Sequence, residues 1–319
     1  MGDHDPHRKL TVPEVAADLR LDKFLARWFP TMSRSVIVRG IRAGLVSNGP
    51  GAALRPASIV KAGQQLWIRI PGIAPDTPPP PLPPILYEDD RLVVLDKPAG
   101  LLCHPSGTAF QWAVIGLARQ RWPDVDLVHR LDRDTSGVLV LSLDAEANRA
   151  LKATYKRGEA HKEYLAICRQ APAWDRQVLD GPIGAADGPI RIQMAVRPDG
   201  LVARTEVEVL ERDDRGRALV RCRIETGRTH QIRVHLAESG ASIVGDRMYG
   251  VAPEVFLNAW EHGVDDRVIE DAGAPRHALH ARRIVVPHPD GGAVDVTAAI
   301  PDDMRRWWAR PHVLPFDRT

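Results

Sequence analysis

The run His129-Arg130-Leu131-Asp132-Arg133-Asp134-Thr135-Ser136-Gly137, followed by Val138-Leu139-Val140-Leu141-Ser142-Leu143, sets the reading of the whole chain. The apolar part is too short for a free-standing helix and favours β structure, so it predicts a buried strand. The polar residues ahead of it then form a loop at the mouth of a sheet, where a rigid strand holds reactive side chains in place. Asp132 lies between Arg130 and Arg133, and cationic neighbours keep a carboxylate ionised. Such a group is a nucleophile or base, or one half of a loop ion pair; these residues alone leave both readings open. Asp134-Thr135-Ser136-Gly137 is turn chemistry, with short side chains that bond to the backbone and a glycine free to take positive φ. That assigns Asp134 a structural part.

HRLDRDTSG resembles the catalytic motif of the RluA family of RNA pseudouridine synthases, in which the Asp of HRLD is essential; here that Asp is Asp132. The chain carries further motifs in family order. Residues 96–105, DKPAGLLCHP, are similar to the first, with Leu102-Cys103 where two valines are common, and read as scaffold with His104 a structural group. Lys162-Glu163-Tyr164-Leu165-Ala166 resembles the second, in which the Tyr sits against the target base. A flipped base needs a flat aromatic partner, although without the motif Tyr164 reads as sheet core. Residues 227–237 with 245–250, GRTHQIRVHLA and GDRMYG, resemble the third, whose Arg, here Arg233, pairs with the catalytic carboxylate. The resemblance further implies Leu279 as an apolar pocket residue, and Arg130 and Arg133 on phosphate or helping to extrude the base.

What the resemblance implies is isomerisation of uridine: N1–C1′ breaks, the base rotates, and C5 joins C1′. No electrons are exchanged, so no cofactor is expected. The residues show no Gly-rich nucleotide loop and no metal-ligand pattern, since His230 and His235 miss the i,i+4 spacing. Whether Asp132 attacks C1′ or C6, or removes a sugar proton, stays open.

Composition fits this reading. The chain has 319 residues, 44% hydrophobic and 26% charged, long enough for about two domains with a sizeable core. No apolar stretch approaches the roughly 20 residues of a membrane helix, and the polar N-terminus lacks a signal-like apolar core. Cys103, Cys168 and Cys222 are far apart, which argues against disulfides or zinc and for a reducing, cytoplasmic setting.

Between residues 10 and 71 nine Lys/Arg stand against three acids, a net +6 in a chain whose total is +2, so the remainder sums to −4. A small basic domain beside a slightly acidic larger one suggests a dedicated contact to phosphates. Leu19, Leu21, Phe24, Leu25 and Phe29 form a helical apolar face with Arg20, Asp22, Lys23 and Arg27 around it. Pro30 ends that helix, and Ser33-Arg34-Ser35 starts a second. Short strands follow near 45–49 and 65–70. RLDKFL, SRS…I…G, GLV…NG and V…G…L…I resemble an S4 RNA-binding domain, with an insert at 50–54. The resemblance implies an S4-like domain over 12–71 in which Arg20, Lys23, Arg34, Arg39 and Arg42 contact RNA. Residues 72–84 are proline-rich and predict an extended, semi-rigid spacer.

The catalytic domain is expected over 85–319. Asp144 caps a helix with Ala147, Ala150, Leu151, Thr154 and Tyr155 on one face, and Gly158 breaks it. Residues 202–210 and 217–224 form a hairpin. Thr229 caps a short helix that stops at Gly240. Residues 251–275 read as an ordered insertion of loose pattern, and Trp307-Trp308 anchor a last helix. The expected fold class is α+β: a mixed, largely antiparallel sheet of the pseudouridine synthase type preceded by the small α+β S4-like domain. The expected partner is structured RNA, large-subunit ribosomal RNA first and transfer RNA as the alternative, with no membrane and no obligate protein partner. Two other classes compete. A glycosidase would use Asp132 with Asp134, but i,i+2 carboxylates in a loop tend to point apart, whereas hydrolysis needs them about 5 Å or more apart across one sugar. A non-catalytic ribosome-assembly factor would bind RNA without needing Asp132, Tyr164 and Arg233.

Overall fold

The computed structural model describes residues 8–12, 14–29, 34–49, 54–69, 80–104 and 113–308. The expected stop at Pro30, the start at Ser33, the insert at 50–53 and the proline tract through residue 79 lie outside the described residues. The chain divides into two compact units, Met1–Leu82 with Leu101–Val125, and Pro83–Gly100 with Asp126–Thr319. Residues 101–125 thus group with the first unit, whereas the sequence reading ran one domain from 85 to 319. Local composition marks no boundary at Gly100 or Val125, because a unit is defined by where the chain packs.

In the first unit, strands β1 (Arg8–Thr11), β2 (Val46–Ser47) and β3 (Gln65–Ile68) form an antiparallel sheet ordered β1-β3-β2, which packs with helices α1 (Leu21–Trp28) and α2 (Arg34–Arg42); residues 101–125 contribute the short α3 (Val114–Ala118). Leu21, Phe24 and Leu25 recur at helical spacing and are buried in one cluster with Ile37, Ile41, Leu66 and Ile68. The strand β1 was not expected, since its sequence RKLT carries no run of alternation. Asp22 departs from expectation: it is buried instead of solvated, because Arg20 and Arg34 both donate to its carboxylate.

The second unit runs β4 (Ile85–Glu88), β5 (Leu92–Lys97), β6 (Asp126–Leu127), β7 (Ser136–Ser142), α4 (Ala145–Arg157), β8 (His161–Cys168), β9 (Arg176–Leu179), β10 (Ile183–Ala185), β11 (Met194–Val196), β12 (Thr205–Arg212), β13 (Ala218–Ile224), α5 (Gln231–Glu238), α6 (Pro253–His262), α7 (Asp266–Ala272), β14 (Leu279–Pro287), β15 (Ala293–Thr297) and α8 (Asp302–Trp307). The sheet order is β4-β5-β7-β14-β8-β13-β12-β9, with β15 on β14 and β6 on β7; β10 and β11 pair separately. Only the β7–β14 pairing in this sheet is parallel among the described residues, so the fold is α+β with a mixed, largely antiparallel sheet.

Every residue of β7 is buried, which suits a strand covered on both faces. Each of Leu139, Val140 and Leu141 contributes roughly 1.5–3 kcal/mol by leaving water, so the loop ahead of β7 hangs from a rigid element. Gly137 has φ 109°, and a Cβ there would fall on the backbone of Ala281. The close approach of β7 and β14 therefore requires glycine. Asp144 caps α4 by accepting from the N–H groups of Glu146 and Ala147, and Gly158 ends it in the left-handed region. Ala150 is exposed, outside the face expected for it. The helix α5 is not capped by Thr229: His230 takes the N-cap position and makes no side-chain cap bond. The insertion at 251–275 contains the helices α6 and α7, which among the described residues share a small buried cluster of Val255, Val268 and Ala272, with Val251 and Ala259 packed against it. Trp308 is buried and donates from Nε1 to Glu211 at 3.3 Å. No helix among the described residues is long and apolar enough to cross a membrane.

Candidate active site

The loop before β7 is fastened along its length. Lys97, at the end of β5 and buried, donates from Nζ to the carbonyls of Pro98 and Arg133, both at 2.9 Å. The Gly100 N–H also donates to the Arg133 carbonyl, and the Thr135 N–H closes a turn on the Asp132 carbonyl at 3.1 Å. Thr135 Oγ1 shares a hydrogen bond with His277 Nε2 at 2.8 Å, and Ser136 Oγ one with His280 Nδ1 at 3.0 Å. Arg276 donates to the Asp134 carbonyl at 3.2 Å and is itself held by both oxygens of Asp303 on α8. At the loop's start His129 Nε2 accepts the Val140 N–H at 3.1 Å, and the ring stacks on Tyr155. Burial, with Lys162 nearby, pushes His129 down to about 3, so it is the neutral acceptor this bond needs.

Asp132 sits on that platform with its side chain 28% exposed. Its Oδ2 accepts from Arg233 Nη1 at 2.9 Å. Arg233, on α5 and buried, turns its other face to Asp246, donating from Nε at 2.7 Å and from Nη2 at 2.9 Å. Asp246 is fully buried and also accepts the N–H groups of Met248 and Tyr249. One guanidinium thus bridges two carboxylates: a deep one that fixes it and an accessible one that it presents. Burial works against ionising Asp132, but the charges of Arg233 and Lys97 and the Arg233 bond outweigh it and hold the carboxyl below its usual range. Asp132 is therefore an anion at neutral pH. His230 Nε2 lies 4.0 Å from the same oxygen, and His230 Nδ1 is 2.8 Å from the Tyr249 hydroxyl.

Asp134 is engaged elsewhere. Its carboxylate takes Arg247 and Arg133, which fits a structural turn residue and leaves it a poor second acid for glycoside hydrolysis. Tyr164 is buried on β8; it pairs with Ala281, which pairs with Gly137 at the start of β7. Register therefore brings Tyr164 to the sheet level from which the Asp132 loop departs. Directly opposed residues share a face, and side chains alternate along a strand, so Leu279, also buried, stands on the Tyr164 face. Arg130 and Arg133 are exposed beside Asp132. In the first unit Arg20, Lys23, Arg34, Arg39 and Arg42 are exposed. An open depression of about 400 Å³ is lined by Arg20, Asp22, Arg34, Ser35, Val38, Arg42 and Pro56. Two of its cations, Arg20 and Arg34, are already paired with Asp22. No group of three or more His, Cys, Asp and Glu among the described residues is placed to hold a metal ion.

Sequence reasoning missed Asp246, His230, Tyr249 and Lys97 as parts of this site. The stretch GDRMYG belongs to the third motif, but no spacing rule links Asp246 to Arg233; the contact exists only in the folded chain.

Comparison with known proteins gives the family of the chain. Residues 91–238 match the family described as RNA pseudouridylate synthase. The ribosomal large subunit pseudouridine synthase D of Xanthomonas campestris pv. campestris is 36% identical over 314 residues, covering 94% of this chain and 91% of that protein. Its namesake in Xylella fastidiosa is 36% identical over 309 residues, with 93% and 90% covered. Among solved structures, human RNA pseudouridylate synthase domain containing 1 superposes with a TM-score of 0.54 at 25% identity over 70% of this chain and 86% of that one. Human RNA pseudouridylate synthase domain containing 4 gives 0.53 at 25% identity, over 70% and 92%.

Proposed function

The chain belongs to the RNA pseudouridine synthase family, and on that premise we propose that it isomerises specific uridines of large-subunit ribosomal RNA, with Asp132 as the reacting carboxylate. The observation that carries the assignment to Asp132 is its asymmetric setting. Oδ2 is bound by a buried Arg233 that Asp246 holds from behind, while the group stays within reach of a ligand. Preorganised in this way, the carboxylate needs no reorganisation when charge develops on the sugar or base.

Breaking N1–C1′ and forming C5–C1′ rearranges one nucleotide. The C5 proton leaves, N1 regains one, and no electrons are gained or lost, so the chemistry calls for no cofactor. Asp132 adds to C1′ or C6, or removes a sugar proton. Tyr164 stacks on the flipped base and assists a proton transfer, Leu279 lines the pocket, and Arg130 and Arg133 hold the flanking phosphates. The N-terminal unit acts as an S4-like RNA-binding domain over residues 12–71, ahead of a proline-rich spacer at 72–84 and the catalytic domain from residue 85. Arg20, Lys23, Arg34, Arg39 and Arg42 form its phosphate-facing surface. Ribosomal RNA is favoured over transfer RNA by the relatives named for the large ribosomal subunit, and a substrate of that kind places the enzyme in the cytoplasm.

The test is tritium release from RNA labelled at C5 of uridine, run with ribosomal and transfer RNA separately, for the wild type and Asp132→Asn. Release by the wild type from ribosomal RNA alone supports the reading. Release from transfer RNA alone moves the substrate assignment, and tight binding without release from either leaves an RNA-binding assembly factor.

A further inference from the structure

Among the described residues, only Asp18 and His230 take positive φ without being glycine. His230, at φ 57° and ψ 17°, opens α5 yet makes no side-chain cap bond. A non-glycine residue held in this region usually serves something specific, and an observed outlier at a site is grounds for asking what. The imidazole is not spent on the helix end and lies between two groups. Nδ1 is 2.8 Å from the Tyr249 hydroxyl, and Nε2 is 4.0 Å from Asp132 Oδ2.

Tyr249 determines which nitrogen carries the proton. Its oxygen accepts the Met194 N–H from β11 at 2.9 Å. Burial raises the phenol well above its ordinary range, so the O–H keeps its proton. No other acceptor for that proton is seen among the described residues, so it points to His230 Nδ1. Nδ1 is then the acceptor, and the ring proton sits on Nε2, the nitrogen that faces Asp132. The charged and titratable groups around the ring are Asp132 on the catalytic loop, Arg233 on its own helix, Asp246 and Tyr249 beyond that helix, and His277 just before β14. Burial, with Arg233, pulls His230 below its ordinary range despite the two carboxylates.

Both donors address the same atom. Arg233 Nη1 binds Oδ2, His230 Nε2 faces Oδ2, and Oδ1 takes none of the described hydrogen bonds. One donor alone leaves a carboxylate free to swivel about Cβ–Cγ. Two donors on one oxygen set its plane and present the other oxygen. At 4.0 Å the His230 contact is too long for a hydrogen bond, but such contacts are commonly loose without substrate and tighten in the complex.

We propose that His230 is a positioning residue for Asp132: with its ring proton on Nε2, fixed there by Tyr249, it closes on Oδ2 when RNA binds and leaves Oδ1 as the reacting oxygen. This rests on Asp132 being the reacting carboxylate, and the two ideas fail separately. Steady-state tritium release over a range of RNA concentrations is measured for the wild type, Asp132→Asn, His230→Ala, His230→Gln and Tyr249→Phe, with thermal melting for each. Nitrogen NMR of imidazole-labelled wild type reads the tautomer directly and needs no variant.

His230→Ala is expected to lower kcat by about 10-fold or more, with KM within about 2-fold, because a misoriented group affects the chemical step more than binding. His230→Gln, whose amide N–H reaches the Nε2 position, recovers most of the loss. Tyr249→Phe falls between them. The NMR spectrum of the wild type shows the Nε2–H form. A wild-type kcat for His230→Ala, an equal loss for Ala and Gln, or an Nδ1–H tautomer would each overturn the proposal. If Asp132→Asn keeps full activity, the premise about Asp132 is what fails; if Asp132→Asn is inactive and His230→Ala is not, only the role of His230 fails.

Discussion

Replacing Asp246 probes the least visible part of the site. Asp246 is fully buried and gives both oxygens to Arg233, at 2.7 and 2.9 Å, while Oδ1 also accepts two backbone N–H groups. Removing one partner of a buried ion pair costs about 3–5 kcal/mol, because the other charge is left buried and uncompensated. Loss of the acceptor for the Met248 and Tyr249 N–H groups adds about 1 kcal/mol each. Against a total stability of about 5–15 kcal/mol, Asp246→Ala is at the edge of folding. Asp246→Asn keeps the volume and one carbonyl acceptor, and is expected to cost about 3 kcal/mol, or roughly 6–12 °C of melting temperature for a unit of this size. The catalytic consequence is separate. Without Asp246 the Arg233 guanidinium loses the group that aims it, and Asp132 becomes its sole carboxylate partner. Single-turnover tritium release by folded Asp246→Asn should drop by about 10-fold or more, with RNA affinity unchanged. Thermal melting and a filter-binding assay complete the measurement. A melting temperature within about 2 °C of the wild type, together with an unchanged rate, would show that Asp246 neither supports Arg233 nor shapes the reaction.

Three further outcomes follow from the same contacts. Gly137→Ala places a methyl group on the backbone of Ala281 at a positive φ and should destabilise the catalytic unit by roughly 3 kcal/mol; denaturant melts equal to the wild type would contradict the close β7–β14 approach. Asp22, held down to about 2, foremost by the Arg20 hydrogen bond and with Arg34 adding to it against burial, has a folded pKa below its unfolded value. Its stabilisation is therefore present above about pH 4 and lost as pH falls toward 2. The gap in denaturant midpoint between wild type and Asp22→Asn should be open at pH 6 and closed near pH 2, and a gap that persists refutes the pairing. Arg39→Ala with Arg42→Ala should reduce the slope of log affinity against log salt by about 1–2, and Arg20→Ala by less, because Arg20 already spends charge on Asp22; equal slopes for all three proteins would remove the N-terminal unit from the RNA interface.

Local chemistry was the legible part. Residues 138–143 announced β7 by composition, Asp144 and Gly158 bounded α4 through their capping preferences, and the hairpin of β12 and β13 followed from alternation around a polar turn. The resemblance of the motifs pointed to Asp132 and Arg233, and the folded chain places them 2.9 Å apart across 101 positions of sequence. What stayed hidden depends on partners distant in sequence. Asp22 looked like a surface acid because its i,i+2 partner Arg20 and its distant partner Arg34 close on it only after folding. Asp246 carried no separate signal, because a short acidic side chain next to a glycine suits turns and buried ion pairs alike. Thr229 is a better N-cap than His by propensity, yet His230 occupies the position, and its ring bonds Tyr249 instead of the helix end. The helices α6 and α7 escaped notice because their buried face is so small.

The central claim is that the Asp132 carboxylate, held by Arg233, performs the isomerisation. The most direct measurement is single-turnover release of tritium from C5-labelled large-subunit ribosomal RNA by Asp132→Asn, alongside its affinity for the same RNA. The account predicts wild-type affinity with no detectable release, since the amide keeps the shape of the side chain but not its charge. Release at the wild-type rate would contradict it and require another residue to carry the chemistry.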